Sequence, residues 1–367
     1  MRILVVATEV LLPDTHGGST HVGELFARLS ERHPALLLAR RGSSGEGIVP
    51  VGLPLRGFPK SLRHVDAMRV LPAALAAARS FAPDVIYERC TSFGLGAVLS
   101  RKLDAPLLTM ILDERYSWLS LLQASRLVAT RLDVIPARVR GKAVRVSWGA
   151  NAELFRSDVS GAEVRRRYGL GDSPVIAYSG SMKRWHGLND LIEVAGALAS
   201  RGIRFLMVGD GPERARLERG IAARGLGDHF VFTGAIPYAD VPAHMAAADA
   251  CVAPFDPSRH GPSRKKGFAL DPLKVFEYLA MGLPTITIRS SNIETLFDDR
   301  DHLLLVTPRR PDELVDAIRW VLDHPEQARA MGERGRSRVL ARHTWRGHAD
   351  HLIGLFEEMR AERGRCD

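Results

Sequence analysis

Short apolar runs alternate with longer stretches of helical periodicity along this chain. Ile3–Ala7 reads as a buried strand, followed by a loop with Pro13 and Gly17-Gly18 and a helix from Ser19 to Arg32. Further strands are expected at Ala35–Ala39, Asp84–Tyr87, Leu107–Leu112 and Ala143–Ser147, with helices at Asp66–Ser80 and Gly94–Leu103. The polar stretch after Trp148-Gly149-Ala150-Asn151 marks a change, and a second series begins at Pro174. Its strands are Ile176–Ser179, Arg204–Val208, His229–Phe232, Ala250–Ala253, Thr285–Ile288 and His302–Val306, with helices in the gaps. Apolar strands separated by helical segments predict parallel sheets wrapped by helices. Two such series predict two doubly wound α/β domains, with ligands at the carboxyl ends of the strands. The last helices, Pro311 through Met359, carry Trp345 and are expected to return to the first domain.

The stretch Asp271-Pro272-Leu273-Lys274-Val275-Phe276-Glu277 opens with a helix start signal, Asp as a cap and Pro at the first helical position. Gly282 and Pro284 end that helix. A helix N-terminus beside Lys274 suits a phosphate, and Glu277 one turn on suits a ribose diol. An ordinary amphipathic helix packed on a sheet fits the same spacing.

Composition narrows the classes. At 367 residues and 46% hydrophobic, the chain is long enough for two cores. No apolar run reaches the roughly 18 residues that span a bilayer. The first strand is too short for a signal peptide. Cys90, Cys251 and Cys366 are widely spaced and lack metal-ligand companions, which disfavours a disulfide framework or zinc site and fits a reducing cytoplasm. The net charge of +9 suits phosphorylated substrates, an anionic membrane surface or nucleic acid. No nucleic-acid motif appears, and the Arg residues are scattered, so a solvated Arg-rich surface accounts for the charge equally well. Leu119, Leu121 and Leu122 with Arg126 and Arg131 read either as a basic, apolar surface for a lipid-linked acceptor at a membrane or as one core-facing helix.

Four strand-to-loop junctions carry candidate chemistry. His16-Gly17-Gly18-Ser19 lets backbone approach an anion at a helix start. Tyr178-Ser179-Gly180-Ser181-Met182-Lys183-Arg184-Trp185-His186-Gly187 mixes glycine, cations and an aromatic, as a diphosphate loop would. Val208-Gly209-Asp210-Gly211-Pro212 closes the next strand, and Phe232-Thr233-Gly234-Ala235-Ile236-Pro237 the one after. Asp299-Arg300-Asp301 reads as a surface turn rather than a metal motif.

These motifs, in this order and with Ala248-Asp249 and Pro272–Pro284, resemble the GT-B, family 4 glycosyltransferases over most of the chain. The resemblance implies two Rossmann-like domains facing across a cleft, residues 1–155 on the acceptor side and 156–340 on the nucleotide-sugar side. Residues 341–367 would form a C-terminal helix packed back on the first domain. It implies retaining, metal-independent transfer of a sugar from a nucleotide-diphosphate donor, UDP- or GDP-type, to an acceptor hydroxyl. No cofactor is expected beyond that co-substrate, no nucleic acid, and a cytoplasmic site at most peripheral to a membrane. Glu277 resembles the ribose-binding carboxylate, and Lys274 with the helix amides at Asp271 and Leu273 the diphosphate contacts. Gly180, Ser181, Lys183, Arg184, Trp185 and His186 fall in the closing loop, Gly209 and Gly211 beside it, and Phe232, Ile236 and Pro237 in the base pocket. Gly17 and Gly18 match the first-domain loop, with His16, Asp113 and Glu114 on the acceptor side.

The departures bear on the sugar half. The family often has a second Glu eight positions before the ribose-binding one, but 277 − 8 gives Ala269, so the sugar contact would come from elsewhere, such as Asp271, or be absent. The usual Arg and Lys of the phosphate loop fall at Ser181 and His186. Their charge would come from Lys183, Arg184 and Lys274, helped by Arg264, Lys265 and Lys266. The His common after Leu107–Leu112 is replaced by Asp113-Glu114. A binding protein that kept the fold and lost catalysis, or a relative such as an epimerase, is the alternative.

Overall fold

The apolar runs form two fully parallel sheets. In the first, β1 (Ile3–Ala7), β2 (Ala35–Arg40), β3 (Ile48–Gly52), β4 (Val85–Arg89), β5 (Leu107–Ile111), β6 (Arg126–Ala129) and β7 (Ala143–Arg145) lie in the order 3-2-1-4-5-6-7. In the second, β8 (Val175–Ser179), β9 (Arg204–Val208), β10 (Phe230–Gly234), β11 (Ala250–Ala253), β12 (Thr285–Ile288) and β13 (Leu304–Val306) lie in the order 10-9-8-11-12-13. Helices on both faces bury β1, β5 and β8 along their whole length, which is why those strands read as near-continuous apolar runs, interrupted only by Thr109 in β5 and by Ser179 at the end of β8. The computed structural model describes all residues except 15, 53–62, 90–92, 115, 262–267, 269–270 and 365–367. Ala269 and Arg264, Lys265 and Lys266 therefore lie outside the described residues.

The chain divides into two compact units, Met1–Trp148 with Trp345–Asp367, and Gly149–Thr344. Strand order reverses beside β1 in one sheet and beside β8 in the other, and such switch points open a crevice at the strand carboxyl ends. Strand β3 was not legible in the pattern because it is a five-residue edge strand broken by Pro50, tolerable only at an edge. Strand β6 begins on Arg126 and is four residues long, too short to show a period. The first helix starts at Gly17 rather than Ser19, with His16 at the cap position.

The helix Trp345–Arg363 belongs to the first unit and packs on the helix Gly17–Ser30. Between them lies an aromatic stack. The buried His21 ring sits 4.7 Å from Trp148 at 20°, 5.5 Å from Trp345 and 6.1 Å from His348. Burial holds His21 well below the usual histidine range, with Arg89 adding to the effect, and brings His348 down to about 4. Both rings are therefore neutral, and His348 Nδ1 donates to the Ser147 carbonyl at 2.9 Å. Ion pairs from Arg32 to Asp350, Arg126 to Glu362 and Arg363 to Asp104 flank the contact. On the helix Trp118–Gln123, Leu121 is buried while Leu119 and Leu122 are 46% and 57% exposed, so the leucines expected on one face divide between two.

Glu88, at the end of β4, is completely buried. Its carboxyl accepts from Gly96 N at 2.8 Å and from Thr109 Oγ1 at 3.4 Å, tying β4 to the helix Leu95–Leu103 and to β5. Burial pushes it up from an ordinary 4.5 to about 7. A carboxyl protonated in the fold but ionised in the unfolded chain contributes its full stability below pH 4.5 and loses it as pH rises towards 7. Glu88→Gln should abolish that dependence. Urea unfolding between pH 4.5 and 8 should show the wild type losing stability relative to the variant, by about 3 kcal/mol at most, given about 1.4 kcal/mol per pKa unit. Parallel curves would contradict this account.

Candidate active site

Three loops at the carboxyl ends of β8, β9 and β10 are locked together through backbone. Gly180 N donates to Val208 O at 2.8 Å, Met182 N to Asp210 O at 2.9 Å, and Gly209 N to Gly234 O at 3.0 Å. Gly209 has φ +125°, and a Cβ there would lie 2.3 Å from the Gly180 carbonyl oxygen. A Cβ at Gly211 would stand 2.5 Å from Met182 N. The glycines expected at these junctions are thus required by close backbone approach.

The helix Leu273–Ala280 enters this assembly from the side. Its Tyr278 hydroxyl accepts from Ser179 N at 2.7 Å and from Ser179 Oγ at 3.1 Å, fixing the helix to the end of β8. Lys274, in its first turn, extends over the Tyr178 ring with Nζ 3.8 Å from the centroid, and 5.3 Å from that of Phe255. The Lys274 Nζ is buried and makes no hydrogen bond among the described residues. A Cβ on Gly180 would sit 3.1 Å from it, so the glycine opens the space that the ammonium reaches. Burial holds this amine well below the usual lysine range; Glu277 opposes the effect and Lys183 adds to it. Glu277, one turn on, is 6% exposed and accepts from the Tyr238 hydroxyl at 2.8 Å.

The helix start departs from expectation. Asp271 does not cap the helix: Pro272 occupies the cap position without a side-chain cap bond, and the buried Asp271 carboxylate accepts from Asn292 Nδ2 at 2.6 Å. Pro272 accordingly precedes the first helical residue, Leu273, instead of being it. His186 turns inward. Its Nδ1 lies 2.8 Å from the Tyr178 hydroxyl and in close contact with the Ser181 carbonyl, and burial keeps the ring well below the usual histidine range. The half-buried Lys183 and exposed Arg184 flank this ring on the same loop.

Trp185 stacks on Phe255 at 5.6 Å and 17° and touches His260 and Phe268, so it anchors its loop by packing. Phe232 packs against the core under the Arg214 guanidinium, 5.4 Å from its centroid, while Ile236 is half-buried and Pro237 exposed. Asp299 and Asp301 pair with Arg289 and Arg334. In the first unit, His16 is exposed with Nδ1 3.1 Å from Asp14, and a Cβ on Gly18 would lie 3.3 Å from Arg89 Nη2. Asp113 is buried and Glu114 exposed.

Sequence reasoning missed Tyr178, Tyr238 and Tyr278, which arrange the second-unit cluster, and Arg89, which lies against the Gly17-Gly18 turn. A tyrosine in an apolar run reads as core. For Arg89 there was a signal: a Glu-Arg pair ends an otherwise apolar strand.

Residues 162–338, all within the second unit, match the family model of the glycosyl transferases group 1. The chain carries a group 1 glycosyl transferase domain. Among similar proteins, the alpha-D-kanosaminyltransferase of Streptomyces kanamyceticus is 30% identical over 200 residues, covering 54% of this chain and 49% of that protein. A GDP-mannose-dependent alpha-(1-6)-phosphatidylinositol monomannoside mannosyltransferase of Mycolicibacterium smegmatis is 31% identical over 223 residues, 59% of this chain and 56% of that one. The chain thus spans about half the length of these curated relatives. Sucrose-phosphate synthase from Thermosynechococcus elongatus has the same fold, with a TM-score of 0.79 at 19% identity over 98% of this chain and 99% of that one. The transferase domain therefore sits in a GT-B fold built from two Rossmann-like units. No helix among the described residues is long and apolar enough to cross a membrane.

The interlocked loops of this glycosyl transferase domain leave no room for a side chain at Gly209. Gly209→Ala should lower stability by roughly 2–4 kcal/mol, from backbone strain plus the clash. A thermal unfolding midpoint within a degree of wild type would show that the loops are not packed in this way.

Proposed function

We propose that this protein is a retaining, metal-independent glycosyltransferase that moves a sugar from a nucleotide-diphosphate donor, UDP- or GDP-type, to an acceptor hydroxyl. One observation carries the reading: a buried lysine nitrogen without a hydrogen-bond partner among the described residues, at the edge of three glycine loops on the switch-point side of the sheet. Such a group costs free energy in the empty site and is offset when an anion arrives. GDP-mannose in the name of the Mycolicibacterium relative supports a donor of this class.

In this reading the diphosphate lies against the amides at the start of the helix Leu273–Ala280 and the Lys274 ammonium. Lys183 and Arg184 supply further positive charge, and Glu277 holds the ribose. The bond between the sugar C1 and the diphosphate oxygen breaks while a new bond forms from C1 to the acceptor oxygen on the same face. The acceptor proton passes to the departing phosphate oxygen. Fixed positive charge at that oxygen lowers the barrier, because it interacts more strongly with the leaving diphosphate than with the intact donor. No step in this scheme calls on a metal ion, and turnover should persist in EDTA. A binding protein without turnover is the second reading, favoured by His186, which faces inward and whose charged form burial disfavours, where the family carries a cation.

The deciding assay incubates the full chain with UDP, GDP, ADP and dTDP sugars and measures release of the nucleoside diphosphate. Lys274→Met should lower kcat/KM by roughly 100–1,000-fold, in line with removing one donor to a developing oxyanion. Tight donor binding with no release in any mixture would favour the binding protein. NMR of the product should give the anomeric configuration of the donor, and inversion would refute the retaining assignment.

Proton linkage gives a second test. Burial depresses Lys274 in the free protein, and a diphosphate beside it favours the charged form. Nucleotide binding should therefore take up protons, and affinity should fall as pH rises through the depressed lysine range. Calorimetry in buffers of different ionisation enthalpy should detect this uptake in the wild type and not in Lys274→Met. Equal heats in all buffers would argue against the contact.

A further inference from the structure

Glu277 does not stand alone. Tyr238 opens the single 3-10 turn Tyr238–Asp240 just after β10, and its hydroxyl donates to Glu277 Oε1 at 2.8 Å across 39 positions of sequence. The Tyr238 ring is in turn held by the fully buried Phe155, with centroids 5.5 Å apart at 55°. Pro237 precedes the turn with φ −56°, limiting the backbone from which the tyrosine projects.

A glutamate's terminal torsion is broad, so its carboxylate plane is set by partners rather than by a rotamer well. A ribose diol presents two hydroxyls at fixed separation, and accepting both requires that plane to be set in advance. The Tyr238 bond does this at the cost of one lone-pair position. Each carboxylate oxygen can accept two hydrogen bonds, so the single bond from Tyr238 does not by itself exhaust the carboxylate. The contact also crosses from the β10 loop to the helix Leu273–Ala280, so the base-side and phosphate-side halves of the cluster share one oriented acceptor.

We propose that Tyr238 is a positioning residue that sets the Glu277 carboxylate for a ribose diol and thereby makes the site selective for ribonucleotides over deoxyribonucleotides. This rests on the donor-site reading of Glu277 given above.

The test measures dissociation constants of the full chain for UDP, GDP and ADP, each against its 2′,3′-dideoxy counterpart, by calorimetry. The wild type should prefer the ribose form of its best nucleotide by at least about tenfold, as expected for hydrogen bonds to a charged group. Tyr238→Phe should narrow that preference by roughly 5–10-fold while leaving dideoxy affinity within about twofold, since only the orientation of the acceptor is lost. With a sugar donor, its KM should rise by a similar factor and kcat change less than about threefold. Equal weakening of both nucleotide forms would reveal a merely structural role, and an unchanged preference would likewise overturn the proposal. Glu277→Gln separates the two levels of inference. If it loses ribose preference while Tyr238→Phe keeps it, the positioning role fails and the donor reading stands. If Glu277→Gln keeps the preference, or the wild type binds none of the three nucleotides, the donor reading fails and the proposal with it.

Discussion

The close approach of Gly209 to the carbonyl of Gly180 governs the architecture of the second unit's site. Backbone packed on backbone at the ends of β8 and β9 leaves no side chain between the loops. The junction then presents amides and carbonyls in fixed positions. Every other part of the cluster is arranged around this floor. Tyr178 and Tyr278 brace the helix Leu273–Ala280 against it, and the Lys274 amine reaches the space that Gly180 leaves. Preorganisation of this kind is costly to build and cheap to use, because nothing has to move when charge appears.

The electrostatics of the chain divide in two. Many of the arginines are already engaged with carboxylates at the surface, such as Arg201 with Asp323, Arg289 with Asp299 and Arg310 with Asp312. Exposed pairs of this sort contribute little to stability. Lys274 differs because its nitrogen has been removed from water and faces an aromatic ring instead of a carboxylate. A formal count of charges therefore says less about function than the placement of one amine. Glu88 is the mirror case in the first unit, a carboxyl that burial shifts towards its neutral form and that ties β4 to its neighbouring helix.

Where side chains repeat, the fold was legible. β1, β5 and β8 are buried throughout because helices cover both faces, and their near-continuous apolar runs stand out in a sequence. β3 and β6 were not, since an edge strand with a proline and a four-residue strand starting on arginine carry no period. Of the candidate site, the glycines, Lys274 and Glu277 could be picked out because their spacing is local. Tyr238 and Tyr278 could not: their hydroxyls act across sequence separations of 39 and 99 positions, which no local pattern encodes. Asp271 misled for the opposite reason. A cap signal depends on a local bond, and a tertiary partner, Asn292, draws its carboxylate away.

The aromatic stack around His21 bears on the order in which the protein can be completed. Trp148 and Trp345 are the residues at which the chain leaves and rejoins the first unit, and both lie against the same histidine. The second unit is continuous from Gly149 to Thr344, so a growing polypeptide holds all of it before Trp345 has been made. The first unit emerges first and is finished last. Until the closing helix arrives, His21 and Trp148 await a partner that is still unsynthesised, and a chain cut short before it would carry a complete second unit and an incomplete first one.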